Sequence, residues 1–148
     1  MNTTSKPDIE LVIDNFRKEV LLIILCFNNF RKDISYNIDL TYIALVITCN
    51  SDNYFQSFVN LTNFVCGSYL IHFIKDNEKF AKTRINYMET IFKENLPRLY
   101  DQFKHLGYTT NLFFYDWIPS LFCKYFKLKT INRLWDIYLI KKEIFVYE

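Results

Sequence analysis

Cysteine and histidine side chains can bind a transition metal or act as nucleophiles. This 148-residue chain has four cysteines and two histidines. They are Cys26, Cys49, Cys66, Cys123, His72 and His105. No two cysteines have the CxxC spacing of a zinc site, and the histidines lie far apart in the sequence. The sequence therefore predicts no metal site and no cofactor.

Phosphate chemistry is also disfavoured. The Gly-rich loops that hold phosphates require several glycines, and the chain has only 2. No serine, threonine or cysteine stands beside a base in a recognisable catalytic motif. We therefore expect the protein to perform no chemistry of its own.

Charge and hydropathy exclude further classes of protein. The formal net charge is +2, and lysines and arginines are spread along the sequence, so no nucleic-acid partner is expected. The longest apolar runs, Val20 to Phe27 and Leu40 to Cys49, are about half of the roughly 20 residues that a membrane-spanning helix requires. The polar start of the chain is unlike a signal peptide, which predicts a cytoplasmic protein with free, mostly buried thiols.

The composition favours one all-α domain. Hydrophobic residues make up 51% of the chain and aromatic residues 19%, as expected for a chain with a packed core. Only 2 glycines and 3 prolines are available for turns, fewer than an all-β fold of many short strands would need. We expect an irregular array of about seven to nine short helices over residues 9–148, preceded by a flexible tail, residues 1–8.

Hydrophobic spacing and capping residues locate the first helices. Ile9 to Phe30 is apolar on nearly every face in its second half, as a central buried helix is. Leu40 to Cys49 is predicted as a helix, although its β-branched residues also favour a strand. Ser51 or Asp52 is expected to cap the next helix, and Gly67 is expected to end it.

Proline, glycine and capping residues also divide the second half of the chain. Pro97 suits the first turn of a helix, and Gly107 suits its left-handed end. Asp116 is expected to cap a helix that contains Trp117, and Thr130 to cap the last helix. Both tryptophans of the chain then fall on neighbouring helices, and we expect them to mark one tightly packed core.

Three motifs in the C-terminal half resemble, in their order and spacing, the TBC domain, the Rab GTPase-activating fold. They are Leu96-Pro97-x-Leu99, Trp117-Ile118-x-x-Leu121-Phe122 and Arg133-Leu134-Trp135-Asp136. That family has an LPxLxxHL-like helix, then a W-x-x-x-L-F helix, then an R-[IL]-W-D helix. The resemblance implies that Pro97, Trp117, Arg133, Trp135 and Asp136 are structural motif positions of such a domain.

An upstream segment is similar to the R-P-D-[IV]-G-Y-x-Q-G-M sequence of the same family. The matching residues are Arg31, Asp33, Ile34 and Tyr36. The resemblance implies that Arg31, Asp33 and Tyr36 contact the partner.

The same segment departs from the family at three positions. Ile38 stands where the family has its catalytic glutamine, Asp39 where it has glycine, and Lys32 where it often has proline. In that family an arginine offsets charge on the transferring phosphoryl group of the GTPase, and the glutamine orients the attacking water. Ile38 can neither donate a hydrogen bond to water nor accept one, so it cannot replace the glutamine.

Two other residues are candidates for the catalytic fingers. Gln56 ends a Y-x-Q triplet that begins at Tyr54, and on the alternative interpretation it is a polar residue on a helix surface. Arg17 ends Leu11-x-x-Asp14-x-x-Arg17, which has the spacing of the family's I-x-x-D-x-x-R motif. It lies closer to the following apolar helix than in the family, and the alternative is an exposed arginine near a helix start.

The resemblance implies a shortened TBC-type protein that binds a GTP-bound, Rab-like small GTPase and regulates vesicle trafficking, with GTPase activation weak or lost. One alternative is an active GTPase activator that uses Arg17 and Gln56. Another is a helical adaptor or assembly protein unrelated to GTPases. The expected localisation is cytoplasmic, peripheral to endomembranes through the GTPase.

The chain resembles a domain that is incomplete at both ends, because the family normally continues beyond the Trp-Asp helix. We therefore expect an exposed apolar patch over Leu139 to Tyr147 that needs a partner or a second copy of the chain. Self-association is one expected outcome.

Overall fold

The protein is an array of helices in a computed structural model that describes residues 9–67, 70–75 and 78–141. Within these ranges the chain forms eight α-helices and no strand. They are α1 (Ile9–Phe30), α2 (Ile38–Cys49), α3 (Tyr54–Cys66), α4 (Leu70–Ile74), α5 (Glu78–Asn95), α6 (Pro97–His105), α7 (Thr110–Trp117) and α8 (Leu128–Lys141). The prediction of an all-α array of about seven to nine helices is confirmed. The tail expected at residues 1–8 lies outside the described residues.

The first helix has the predicted bounds but is not buried on every side. Its second half packs against α2 and α3 through one face, formed by Val20, Ile23, Ile24 and Phe27. On the opposite face Leu21, Leu22 and Leu25 are 57%, 49% and 51% exposed. The prediction of a central buried helix is therefore wrong, because within the described residues other helices cover only one side of α1.

The side chains of Asn37 and Asn53 cap the first turns of α2 and α3. Asn37 has extended backbone, and its side-chain oxygen accepts a hydrogen bond from the amide of Asp39. Asn53 caps α3 in the same way, at 2.9 Å from the amide of Gln56. Each cap satisfies a backbone N–H that the first helical turn cannot pair. The cap predicted at Ser51 or Asp52 is wrong by one or two residues.

The largest group of buried residues, here called the main core, joins α1, α2, α3, α4 and α8. Its most enclosed large side chains are aliphatic, apart from Phe27, and include Ile23, Leu40, Ile43 and Leu61. A smaller cluster lies among α4, α5 and α7 and contains Phe73, Ala81, Ile85, Met88 and Ile118. The two clusters are distinct, and the segment after α7 connects them because Ile118 belongs to one and Leu121 to the other.

Aromatic rings form a third region beside the smaller cluster. Its four principal members, here called the ring group, are Phe92, Phe103, Phe113 and Trp117. The centroids of Phe92 and Phe103 are 5.8 Å apart, and those of Phe113 and Trp117 are 4.9 Å apart. These distances are typical of tilted and edge-to-face ring pairs. The ring group therefore joins α5, α6 and α7.

The two tryptophans lie in different regions. Trp135 is 8% exposed in the main core, where its ring stacks on Phe64 and its indole N–H donates to the carbonyl of Leu121 at 3.4 Å. Trp117 belongs to the ring group and ends α7, so Asp116 lies in the last turn of that helix. The predictions of a single core for both indoles and of a helix start at Asp116 are therefore wrong.

The connection between α7 and α8 has an unusual backbone. Leu121 and Phe122 have φ values of 43° and 65°, in the left-handed region that side chains other than glycine rarely adopt. Leu121 is nevertheless buried, and its carbonyl accepts the Trp135 indole. Packing holds this conformation, because an exposed loop would relax to an ordinary turn. The last helix then starts at Leu128, two residues before the predicted cap at Thr130.

Candidate functional site

The loop between α1 and α2 holds the residues that the family resemblance assigns to partner contact. Arg31 continues the hydrogen bonding of α1, since its amide donates to the carbonyl of Phe27 at 2.7 Å. Ile34, in the middle of the loop, is 3% exposed and belongs to the main core. This one apolar anchor fixes the loop to the core and leaves its other side chains at the surface.

Arg31 and Asp33 bind each other in this loop. The guanidinium Nε and Nη2 donate to the two carboxylate oxygens of Asp33 at 2.8 and 2.9 Å, a planar two-bond pair. Hydrogen bonding to Asp33 raises the pKa of Arg31 above its usual value. Hydrogen bonds from Arg31, and then from Lys75, hold the pKa of the Asp33 carboxyl well below its usual value of 3.8. Both groups are therefore charged at neutral pH.

The same pair ties the loop to two other helices. Arg31 Nη1 lies 2.7 Å from the sulfur of Cys66 at the end of α3, and Lys75, just after α4, forms an ion pair with Asp33. Two of the three predicted partner-contact residues thus form ion pairs within their own chain. Sequence patterns did not indicate Cys66 or Lys75, because both lie more than thirty residues away and carry no motif.

Tyr36 and Ile38 are the large hydrophobic side chains that this site exposes. Tyr36 is 59% exposed, and its hydroxyl lies 3.0 Å from that of Thr41, in the first turn of α2. Ile38, the first residue of α2, is 53% exposed. The position that resembles the catalytic glutamine is thus at the surface, but it presents only hydrocarbon.

Arg17 lies far along α1 from this loop. Thirteen residues separate it from Phe30 on one continuous helix, which corresponds to about 20 Å along the axis. Its guanidinium is 3.4 Å from Asp14, and the two side chains are 74% and 59% exposed. The I-x-x-D-x-x-R spacing therefore produces an exposed pair on one helix face.

Gln56 lies in the first turn of α3. Its side-chain amide donates to Asn60 at 2.9 Å, and Asn60 in turn donates to Ser51. The adjacent turn of α3 meets the end of α1, since the rings of Phe58 and Phe30 are 6.1 Å apart. Gln56 is thus near the end of α1 that carries the loop, whereas Arg17 is about 20 Å from that end.

An ion-pair group at the start of α2 was not predicted from the sequence. Lys124 Nζ is 2.7 Å from the carboxylate of Asp39 and 2.6 Å from that of Asp116. The Asp39 and Lys124 side chains are only 11% and 19% exposed. Burial lowers the pKa of Lys124, but the hydrogen bonds that its ammonium donates to Asp116 and Asp39 outweigh this effect and raise it. Asp39 stands where the family has glycine, and this unusual charge was the one indication in the sequence of an ion pair here. Its partner Lys124 could not be identified, because it lies 85 residues further along the chain.

Two of the C-terminal motif residues lie at a groove of about 630 Å³ between α2, α3 and α8. Trp135 and Asp136 line it, together with Asn50 and Asn132. The two asparagine side chains exchange hydrogen bonds of 3.0 and 2.9 Å, which join the end of α2 to α8. Of the remaining motif residues, Arg133 is exposed on α8 and Pro97 is the first residue of α6. Of these motif residues Trp135 is buried, whereas Pro97, Arg133 and Asp136 are exposed.

The thiols differ from the prediction of mostly buried cysteines. Cys26 and Cys49 are exposed, and Cys66 and Cys123 are half-buried. Burial raises the pKa of Cys123 to about 12, so this thiol stays protonated at neutral pH. Within the described residues, no three metal-binding side chains are grouped closely enough to hold an ion, and no helix is long and apolar enough to cross a membrane.

Comparison with known proteins gives a consistent family. The model of the Rab-GTPase-TBC domain matches residues 8–148. Drainin of Dictyostelium discoideum is 27% identical over 118 residues, which cover 80% of this chain and 27% of drainin. TBC1 domain family member 14 of Homo sapiens is 31% identical over 120 residues, which cover 80% of this chain and 17% of that protein.

A further relative has the same pattern. TBC1 domain family member 12 of Xenopus tropicalis is 32% identical over 120 residues, again 80% of this chain and 17% of the relative. The match thus spans between 17% and 27% of the length of these curated relatives.

Proposed function

The chain belongs to the Rab-GTPase-TBC domain family, and from this premise we propose that it binds a Rab-type small GTPase with little or no acceleration of GTP hydrolysis. Membership in the family supports the choice of partner. The hydrocarbon side chain of Ile38, at the position that resembles the catalytic glutamine, supports the loss of acceleration.

The α1–α2 loop is the proposed contact surface. Ile34 and the Arg31–Asp33 pair fix its backbone, so little conformational entropy is lost when a partner binds. Tyr36 and Ile38 stand exposed on this fixed loop. An exposed aromatic residue beside an aliphatic one is typical of the centre of a protein interface. In this proposal Arg31 and Asp33 shape the surface, and Tyr36 contacts the GTPase.

Weak or absent activation follows from the positions of the candidate fingers. An arginine finger contributes about 10³ to 10⁵ in rate only when it reaches the phosphoryl group together with a water-orienting residue. Arg17 lies about 20 Å along α1 from the loop. Gln56 lies near the opposite end of α1, where the loop begins, but its side-chain amide donates a hydrogen bond to Asn60. The alternative, an active GTPase activator that uses Arg17 and Gln56, is therefore less well supported than a GTPase-binding protein.

The cellular role is proposed from the partner. Binding of the GTP-bound form would bring the protein to whichever endomembrane carries that GTPase and would link it to vesicle trafficking. The chain itself would stay cytoplasmic. A helical adaptor unrelated to GTPases is the least supported alternative, because it does not account for the match to the Rab-GTPase-TBC domain family.

A binding and hydrolysis experiment tests the proposal. The full chain is titrated against a panel of Rab proteins loaded with GDP or a non-hydrolysable GTP analogue, and single-turnover GTP hydrolysis is followed with the same panel. We expect one or more GTP-form complexes and a hydrolysis rate within about threefold of the intrinsic rate. Tyr36→Ala should weaken the complex at least tenfold. Tyr108→Ala is the matched control, because Tyr108 is also 59% exposed.

Three outcomes would contradict parts of the proposal. Strong acceleration that disappears in Arg17→Ala and Gln56→Ala would show an active GTPase activator. Binding that Tyr108→Ala weakens as much as Tyr36→Ala would place the contact outside the α1–α2 loop. If no Rab protein binds in either nucleotide state, the adaptor alternative replaces the GTPase-binding function.

A further inference from the structure

The last residues before α8 and the first turn of that helix form a surface that is both apolar and basic. Residues 125–130, here called the α8 tip, are six consecutive exposed residues. Tyr125, Phe126 and Leu128 are 50%, 48% and 41% exposed, and each of the two rings also touches one ring of the protein behind it. A lysine stands on either side of Leu128. Aromatic, aliphatic and basic side chains thus lie together at one end of a helix.

The tip carries a local positive charge, although the net charge of the whole chain is only +2. Residues 117–135 contain four basic side chains and no acidic one. The first of them, Lys124, is neutralised by Asp39 and Asp116. The other three are exposed, and in the part of the chain that the structure describes none of them forms an ion pair. These three are Lys127, Lys129 and Arg133.

The positive charge is also placed against the dipole of α8. The helix begins at Leu128 and has no acidic residue in its first turn. The N-terminal end of a helix carries partial positive charge, which favours a nearby anion and disfavours a nearby lysine. Lys127 and Lys129 therefore destabilise the helix where they stand, and an anionic surface in contact with the tip would offset this effect. Their placement argues for a negatively charged ligand and against a purely structural role.

Packing behind the tip holds it in place. Leu121 is buried, and its carbonyl accepts the indole N–H of Trp135 at 3.4 Å. Lys124 ties the same segment to Asp39 on α2 and to Asp116 on α7. The apolar side chains of the tip are thus presented by a fixed backbone, so little conformational entropy is lost on contact with a surface.

We propose that the α8 tip contacts an anionic membrane surface. In this arrangement Tyr125, Phe126 and Leu128 enter the headgroup region of the bilayer. The three unpaired basic side chains lie among the lipid phosphates and carboxylates, and Arg133 reaches them because helical side chains lean toward the N-terminus. A membrane is favoured over an acidic peptide, because the headgroup region accepts both the rings and the lysines. The contact does not involve the α1–α2 loop and does not depend on GTPase binding.

The expected affinity is moderate and depends on salt. Each lysine or arginine near an anionic bilayer contributes roughly fivefold in partition coefficient. Three of them predict a preference of roughly a hundredfold for anionic over neutral vesicles at low salt. The preference should fall as salt is added, since the Debye length is about 10 Å at 0.1 M and about 3 Å at 1 M.

Vesicle co-sedimentation of the full chain tests the proposal with no GTPase present. Vesicles of phosphatidylcholine alone are compared with vesicles in which about a third of the lipid is phosphatidylserine, and the latter should bind at least about tenfold more tightly. Lys127→Glu combined with Lys129→Glu should weaken binding to the anionic vesicles at least about tenfold. Phe126→Ala should weaken it roughly fivefold, because one ring no longer enters the headgroup region.

Matched control variants lie elsewhere on the surface. Lys79→Glu combined with Lys82→Glu makes the same charge change on α5, where both lysines are exposed. Binding should stay within about threefold of the original, because salt screens charges that are more than a Debye length from the membrane. Phe55→Ala removes a ring that is 69% exposed on α3 and should leave vesicle binding unchanged. Circular dichroism checks that every variant keeps its helix content.

Three outcomes would overturn the proposal. Equal binding to neutral and anionic vesicles, or binding to neither, would exclude an anionic membrane as the ligand. Equal losses in the two double-lysine variants would show that net charge, and not the α8 tip, attracts the protein. Binding to polyglutamate with none to vesicles would identify an acidic protein as the partner instead. Rab binding in solution, which the tip variants should leave unchanged, is measured in parallel, so that failure of either proposal is recognised separately.

Discussion

The main core and the ring group are stabilised differently. In the main core, Phe27, Leu40 and Leu61 are fully enclosed. This core joins α1 to α4 with α8, so its helices come from both ends of the chain. The ring group joins only α5, α6 and α7, which follow one another in sequence, and its members Phe92 and Phe103 remain partly exposed.

Polar contacts follow the same division. Around the main core, Asp39 pairs with Lys124, and Asn50 pairs with Asn132 across 82 residues. Beside the ring group, Tyr100 donates to Glu89 across only 11 residues, and this contact raises the pKa of the Tyr100 hydroxyl. Contacts between residues far apart in sequence are therefore concentrated around the main core, which positions the candidate site, whereas the ring group is held by contacts between neighbouring helices.

The largest expected effect comes from removing an enclosed ring. Phe27→Ala should lower the free energy of unfolding by about 3 to 5 kcal/mol, because Phe27 is 0% exposed and its removal leaves a cavity. Phe103→Ala, in the ring group, should cost less than half as much, because that side chain is partly exposed and neighbouring rings can close the gap. Chemical denaturation of both variants gives the two values, and equal losses would break the distinction between the regions.

The next largest effect concerns the ion pair between the regions. Lys124→Met should cost about 2 to 3 kcal/mol, because it leaves the nearly buried Asp39 carboxylate without its cation. Asp39→Asn combined with Lys124→Met should recover about half of that loss, since the only carboxylate left without its cation is Asp116, whose side chain is 43% exposed to water. Denaturant titration of the single and double variants measures this coupling. Additive losses would show that the pair does not link α2 to the segment after α7.

The smallest effect is the pH dependence of the α1–α2 loop. The folded-state pKa of Asp33 lies below its unfolded value of 3.8, so its contribution is fully present above pH 3.8 and is lost as pH falls further. Asp33→Asn should therefore flatten the acid limb of the plot of melting temperature against pH. Added salt should weaken the same contribution, because Asp33 is 48% exposed. An unchanged acid limb in Asp33→Asn would show that this loop contributes no pH dependence to the fold.

Local patterns predicted several elements correctly. The bounds of α1, the choice of helix over strand for α2, and the helix between Pro97 and the left-handed Gly107 all follow from neighbouring residues. The starts of α3 and α8 were misplaced, because asparagine, serine and threonine compete as caps and tertiary packing selects among them. The short α4 was missed, since five residues carry too little periodicity to detect.

The candidate site was predicted only in part. The resemblance located Arg31, Asp33 and Tyr36 on one loop, and the structure adds which of them are exposed. The ties to Lys75 and Cys66, and the pair of Asp39 with Lys124, could not be read from sequence spacing. Such contacts depend on how helices cross, and no periodicity encodes the crossing of two distant helices.

The sequence by itself determined the helical class and the family, because these depend on residue identity and local spacing. Only the tertiary structure decided that the two tryptophans separate into different regions, and that one face of α1 is not covered by the other described helices. The reason is that burial belongs to the arrangement of helices, while periodicity shows only that a face is apolar.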